Sequence, residues 1–204
     1  LLTTDTKTAQ PLYEQAIEKY QKNLIQKPNS QEAQSGLIAA FLGWGHKLVA
    51  VALKEVKQGK HCDALAERVA IEQLLAGAVE KWQEILALDP NNLYALYHWG
   101  VTLHLQARVA NGEEQEHLFS EAEQKYLQVE NLKIGHSAYG LAGLAVLRGE
   151  VDNARQWLER GIKYKTLPLR HQIEDDPDFK GYHACQWFQD ILKQAPQNED
   201  LKAV

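Results

Sequence analysis

Apolar positions along this chain recur at the three- and four-residue steps of an α-helix rather than in the strict alternation of a strand. Four segments repeat one frame, an Ala, three residues, then a bulky side chain: Ala16/Tyr20, Ala78/Trp82, Ala122/Tyr126 and Ala154/Leu158. Pro28 follows Ala16 at the same distance as Pro90 follows Ala78. Proline cannot continue a helix, and it biases the preceding residue to an extended backbone. Each segment therefore predicts a helix with a small residue for close approach and a large one for the core. The first two also carry a hard stop.

A second kind of helix is predicted after each stop. Leu96, Trp99, Gly100 and Leu103 share one spacing with Gln34, Leu37, Ile38 and Phe41, and with Ala138, Leu141, Ala142 and Ala145. A small residue in the middle lets two helix backbones approach, and its large neighbours fill the groove. Spacing inside these units is uneven. Gln34 and Ala78 are 44 residues apart, whereas Ala138 and Ala154 are 16 apart. Leu48, Val51, Ala52 and Val56 carry the helical period into the excess, and Gly59 supplies a stop. Leu65, Val69, Leu74, Leu75, Val79, Trp82 and Leu86 then return it. Residues 31–88 thus predict an elongated helical hairpin, with no role assigned to the insertion at 43–77. A smaller excess around Asn111-Gly112 precedes Glu113, Glu114 and Glu116, acids that suit a helix N-terminus. Beyond Leu167, Asp176-Pro177 reads as a helix start, and Trp187, Phe188, Ile191 and Leu192 predict one more short amphipathic helix.

These spacings resemble the tetratricopeptide (TPR) repeat, whose signature couples W-x2-L-G-x2-Y on one helix with A-x3-F and a proline on the next. The later part is similar to a set of bacterial TPR proteins with a characteristic terminal segment. The matching residues are Ala138, Tyr139, Leu141, Ala142, Leu144, Leu147, Arg148 and Gly149, then Trp157-Leu158-Glu159 and Leu167-Pro168. Asp176-Pro177-Asp178-Phe179 and the Trp187-Phe188, Ile191-Leu192 pairs complete that segment. Upstream, Gly112-Glu113-Glu114, Leu118-Phe119, Ala122 and Lys125-Tyr126 also match. The likeness covers residues 78–193; residues 29–77 depart from it.

The resemblance implies an all-α, TPR-like helical-hairpin solenoid forming a single domain over residues 1–204. Within it, residues 9–90 hold the first helix and the long hairpin, 91–166 the repeats, and 167–204 a capping helix, which a solenoid needs to cover its last core face. It also implies a concave wall built from the first helix of each repeat. Tyr94, Tyr97, Val101 and His104 would line it in the middle repeat, and His136, Tyr139, Gly143 and Val146 in the last. Such a wall implies a protein or peptide partner, gripped by side chains with apolar bodies and polar tips. Glu32, Ser35, Ala39 and Leu42 hold the corresponding face of the earlier helix. They lack the Lys and Asn of a carboxylate clamp, so an apolar segment or amphipathic helix is the expected ligand.

Composition narrows the classes further. Hydrophobic residues make up 45% of the 204, enough for a sizeable core. The net charge is −5, with 22 basic residues scattered among 27 acidic ones, which argues against nucleic acid as partner. Cys62 and Cys185 are too few for a secreted disulfide scaffold, and the start, Leu1-Leu2-Thr3-Thr4-Asp5, turns polar at once. The expected setting is the cytoplasm. The apolar run from Gly36 to Leu53 is broken by His46 and Lys47, so burial in a helical protein is expected rather than membrane insertion. His61-Cys62 with His183 and Cys185 contain the ligand types of a zinc site, but neither pair has C-x2-C or H-x3-H spacing. Glu174, Asp175, Asp176 and Asp178 read as a solvated helix-starting run. His104 and His136 have no evident Ser or Cys nucleophile beside them, and no G-x-S-x-G, H-E-x-x-H or phosphate-binding glycine loop occurs. The expectation is a non-enzymatic scaffold or adaptor without metal or cofactor. The alternatives are a homodimer through the long hairpin, or an enzyme whose site has no sequence signature.

Overall fold

The computed structural model describes residues 4–57 and 65–197, which are all-helical, with no strand among them. In chain order the elements are α1 (Thr4–Gln26), α2 (Gln31–Lys57), α3 (Leu65–Leu88), α4 (Leu93–Val109), α5 (Gly112–Leu132), α6 (Ala138–Leu147) and α7 (Val151–Tyr164). The short α8 (Arg170–Glu174), a 3-10 helix (Pro177–Tyr182) and α9 (Gln186–Gln194) follow. Two compact units, Leu1–Ala122 and Glu123–Val204, divide the chain, with the boundary inside α5.

In the first unit, α1 and α3 each end two residues before a proline, at Gln26 and Leu88. α1 begins five residues before the expected start at residue 9 and carries Pro11 inside it. The long hairpin is present as α2 and α3, of 27 and 24 residues. Leu37, Phe41, Leu48 and Ala52 of α2 meet Ile71, Leu74, Leu75, Ala78, Trp82 and Ile85 of α3 in one core. Among the described residues α2 is the one helix long and apolar enough to cross a membrane by length and composition. Most of its large apolar side chains pack in or against this core.

Trp82 is the hub. It is fully buried, and its indole Nε1 donates to Thr102 Oγ1 at 2.9 Å. The Thr102 hydroxyl in turn donates to the His98 carbonyl at 2.7 Å, so the buried indole N–H is satisfied through α4. Rings over glycines recur between successive helices. Tyr20 of α1 covers Gly36 of α2, and Tyr126 of α5 covers Gly140 of α6, where a Cβ would sit 2.6 Å from the ring. Trp82 covers Gly45 of α2 in the same manner. At the junction of α3 and α4, however, Trp82 meets an imidazole. His98 stands sixteen residues after Trp82, as Gly36 stands after Tyr20.

The second unit is built around α6, whose sequence AYGLAGLAVL is buried on nearly every side. Gly149, at φ +76°, ends it: Gly149 N–H donates to Val146 O and Glu150 N–H to Ala145 O, at 3.1 and 2.8 Å. This is the paired bonding of a Schellman turn, which a left-handed glycine permits. α7 closes with the same pair of bonds, from Lys165 to Ile162 and from Thr166 to Gly161, but with Lys165 in the left-handed position at φ +56°. Behind these helices lies a buried carboxylate. Glu130, 6% exposed, accepts from the backbone N–H of Gly135 and Ser137, at 2.9 and 3.0 Å. It also accepts from the Ser137 hydroxyl at 3.1 Å and from Arg160 Nε at 3.0 Å. A buried charge costs heavily unless it is paired and hydrogen-bonded, and Glu130 is both. It thereby ties the end of α5, the following loop and α7 together.

Candidate functional site

The C-terminal segment decides what α6 can offer. Asp176 caps the 3-10 helix, one carboxylate oxygen accepting from Asp178 N–H at 3.0 Å, as an Asp before Pro177 should. Its other oxygen accepts from the Tyr139 hydroxyl at 2.7 Å. The Tyr139 ring packs on Phe179 with centroids 5.5 Å apart, and Phe179 stacks on Phe188 of α9 at the same separation. Phe188, Ile191 and Leu192 are buried with Ala142, Ala145 and Val146 of α6 and Leu158 of α7. Of the expected wall residues here, Tyr139 is therefore engaged by the cap, Val146 is in the core, and Gly143 is buried. His136 is half-buried, with no partner for its Nδ1. The chain's own tail covers this face. Asp176 is correspondingly a pinned residue rather than a solvated member of an acidic run.

The α4 residues behave differently. Tyr94 is 65% exposed. Tyr97 is half-buried, its ring edge-on to His98 with centroids 5.4 Å apart. Val101 packs against the core of the first unit, and His104 is buried at 8% exposure. Tyr94 and Tyr97 thus share the accessible side while Val101 and His104 turn inward. On α2, Glu32, Ser35 and Ala39 are exposed and Leu42 is half-buried. Ala39 lines an open cleft with Leu12, Tyr13, Ala16 and Tyr20 of α1, and Leu12 is 68% exposed there.

Between α2 and α4 lies a cluster that sequence spacing did not single out. The imidazoles of His46 and His98 are 4.1 Å apart, edge to face, and each ring also packs on Trp82, at 5.5 and 5.6 Å. Burial, and secondarily the charge of a protonated His46, push His98 down to about 4. Burial shifts His46 in the same direction, though it is the more exposed of the two. Both imidazoles are accordingly neutral near pH 7. An edge-to-face pair aims the edge of one ring at the face of the other, so their nitrogens do not converge on a shared metal ion. The signal available in the sequence was His98 occupying the place that glycine holds in the two tyrosine joints.

No protein-family model matches this chain, and neither does any curated protein or solved structure. Among the described residues no group of three His, Cys, Asp or Glu side chains is placed to hold a metal ion. His183 lies flat on Phe188, 5.6 Å away, and Cys185 precedes α9; His61 and Cys62 lie outside the described residues.

Proposed function

We propose that this chain is a TPR-like helical-hairpin protein that acts by binding other proteins, without catalysis or a cofactor. In this reading α2 with α3 in the first unit and α6 with α7 in the second are helical hairpins, α1 precedes the first, and the segment after α7 is a terminal cap. The recurring ring joints support it: the ring of an Ala-x3-ring segment covers a glycine of the next helix at Tyr20/Gly36 and Tyr126/Gly140, and Trp82 stacks on His98 at the corresponding place.

The observation that carries the binding reading is the exposure of Tyr94. A 65% exposed Tyr beside a second, half-buried Tyr is the kind of rigid amphipathic anchor that protein interfaces use. The receptive face then belongs to the first unit: Tyr94 and Tyr97 of α4, with the α1–α2 cleft around Leu12 and Ala39 as a second apolar contact. An apolar segment or amphipathic helix fits such a face better than a charged terminus does. Affinity capture from the source cell tests this. The Tyr94→Ala, Tyr97→Ala double variant should lose the proteins recovered with the parent chain while keeping its helicity. Recovery of the same proteins by both would refute it.

Two competing readings have less support. In a homodimer through the long hairpin, α2 and α3 would present apolar side chains outward. Val69, 41% exposed, is the large apolar residue that does so among their described residues. An enzyme would need titratable groups gathered in a cleft. The His46–His98 pair is perturbed, but both imidazoles pack on the buried Trp82 and on each other.

A further inference from the structure

One face of α7 carries an arrangement that the proposed function leaves unused. Trp157, Arg160 and Tyr164 fall at three- and four-residue steps, so they share one helix face. The Arg160 guanidinium lies over both rings, 5.6 Å from each centroid, and Nε is held by the buried Glu130 at 3.0 Å. That bond is its one hydrogen bond among the described residues, so both terminal nitrogens keep their donors, on a side chain 39% exposed. Lys163 adds a second cation over the Tyr164 ring at 5.5 Å.

The loop before α6 extends this surface. Tyr164 covers Gly135, where a Cβ would lie 2.6 Å from the Tyr164 Cβ, and the Thr166 hydroxyl donates to Gly135 O at 2.6 Å. The two residues before that glycine, Lys133 and Ile134, are exposed, Ile134 at 50%. Tyr164 itself is 40% exposed.

We infer that this face of the second unit, formed by Trp157, Arg160, Lys163, Tyr164, Lys133 and Ile134, docks an acidic peptide segment of a partner protein in which carboxylates flank a large apolar residue. Charge selects the partner. Arg160, Lys163 and Lys133 put three cations here on a chain whose net charge is −5, while the carboxylate that holds Arg160, Glu130, is buried and already paired. The rings and Glu130 hold the guanidinium in place, so a bidentate bond to a carboxylate costs it little side-chain freedom. Trp, Tyr and Arg are also the residues that dominate binding energy at protein interfaces. Three cations are few for tracking a nucleic acid backbone, which favours the peptide.

Fluorescence anisotropy with the full chain tests this. The probe is a labelled synthetic peptide alternating Glu and Leu around a central Phe, and its control replaces every Glu by Gln. The parent protein should bind the acidic probe saturably, and the control at least about tenfold more weakly. Lys133→Glu combined with Lys163→Glu should weaken the acidic probe by about tenfold or more. Both lysines are exposed, so circular dichroism should stay unchanged; Ile134→Glu gives an independent disruption of the same face. No binding by the parent protein, equal binding of the two peptides, or undiminished binding by the double variant would each overturn the inference. So would tighter binding of a single-stranded oligonucleotide than of the acidic probe. A dimer in sedimentation that the double variant abolishes would instead make a second copy the occupant, and equally overturn it.

Discussion

Acid should destabilise the first unit in a way that traces to one side chain. His98 is held neutral between Trp82, Tyr97 and His46, with its proton affinity depressed to about 4 from 6.5. The sign follows from which state binds the proton. Between those two values the unfolded chain carries a proton on this imidazole and the native chain does not. Unfolding therefore takes up a proton, and native stability falls as pH falls. The contribution is intact above about pH 6.5 and is lost progressively toward pH 4. Each unit of depression corresponds to about 1.4 kcal/mol, so the full window amounts to roughly 3 kcal/mol. Other groups titrate in this range, so the informative quantity is a difference between proteins. Urea unfolding followed by circular dichroism at intervals from pH 7.5 to pH 4 should be run on the parent and on His98→Gln. The parent should lose about 3 kcal/mol more than the variant across that range. An NMR titration of His98 should show a midpoint near 4. Parallel stability curves, or a His98 midpoint near 6.5, would refute the reasoning.

Other consequences concern packing. Glu130→Ala would leave Arg160 Nε and the backbone N–H groups of Gly135 and Ser137 without their acceptor, and should cost about 3–5 kcal/mol of second-unit stability in chemical denaturation. Gly140→Ala places a Cβ 2.6 Å from the Tyr126 ring and should cost about 1–3 kcal/mol by the same assay. Lys165→Gly relieves a left-handed backbone at the end of α7 and should raise stability by roughly 1 kcal/mol, seen as a higher unfolding midpoint.

The all-helical class and the helix limits were largely legible in the sequence. Pro28 and Pro90 end α1 and α3 within two residues, Gly112 opens α5, and the 44-residue interval from Gln34 to Ala78 becomes the long α2–α3 hairpin. Local rules decide such features, and they can be read locally. Which element covers a given face cannot. Tyr139 and Val146 sit at the spacing of a wall, but Asp176 and Phe179, nearly forty residues on, fold onto them. α8 carried no recognisable pattern because five residues are too few to show a period. Nothing in the sequence marks Glu130, and only the turn at Gly135 and the helical register of Arg160 make it a buried staple. His98 shows the limit in another way. Its spacing from Trp82 is visible, but the contact with His46 depends on how the long hairpin meets α4.

The central claim, that the accessible face of α4 binds protein, is tested most directly by site-specific photocrosslinking in the source cell. A benzophenone side chain would be placed at the position of Tyr94 and, separately, at that of Gln186, an exposed residue of α9. One or a few discrete protein adducts are expected at the Tyr94 position that are absent from the Gln186 position. Adducts at neither position, or the same adducts at both, would contradict it.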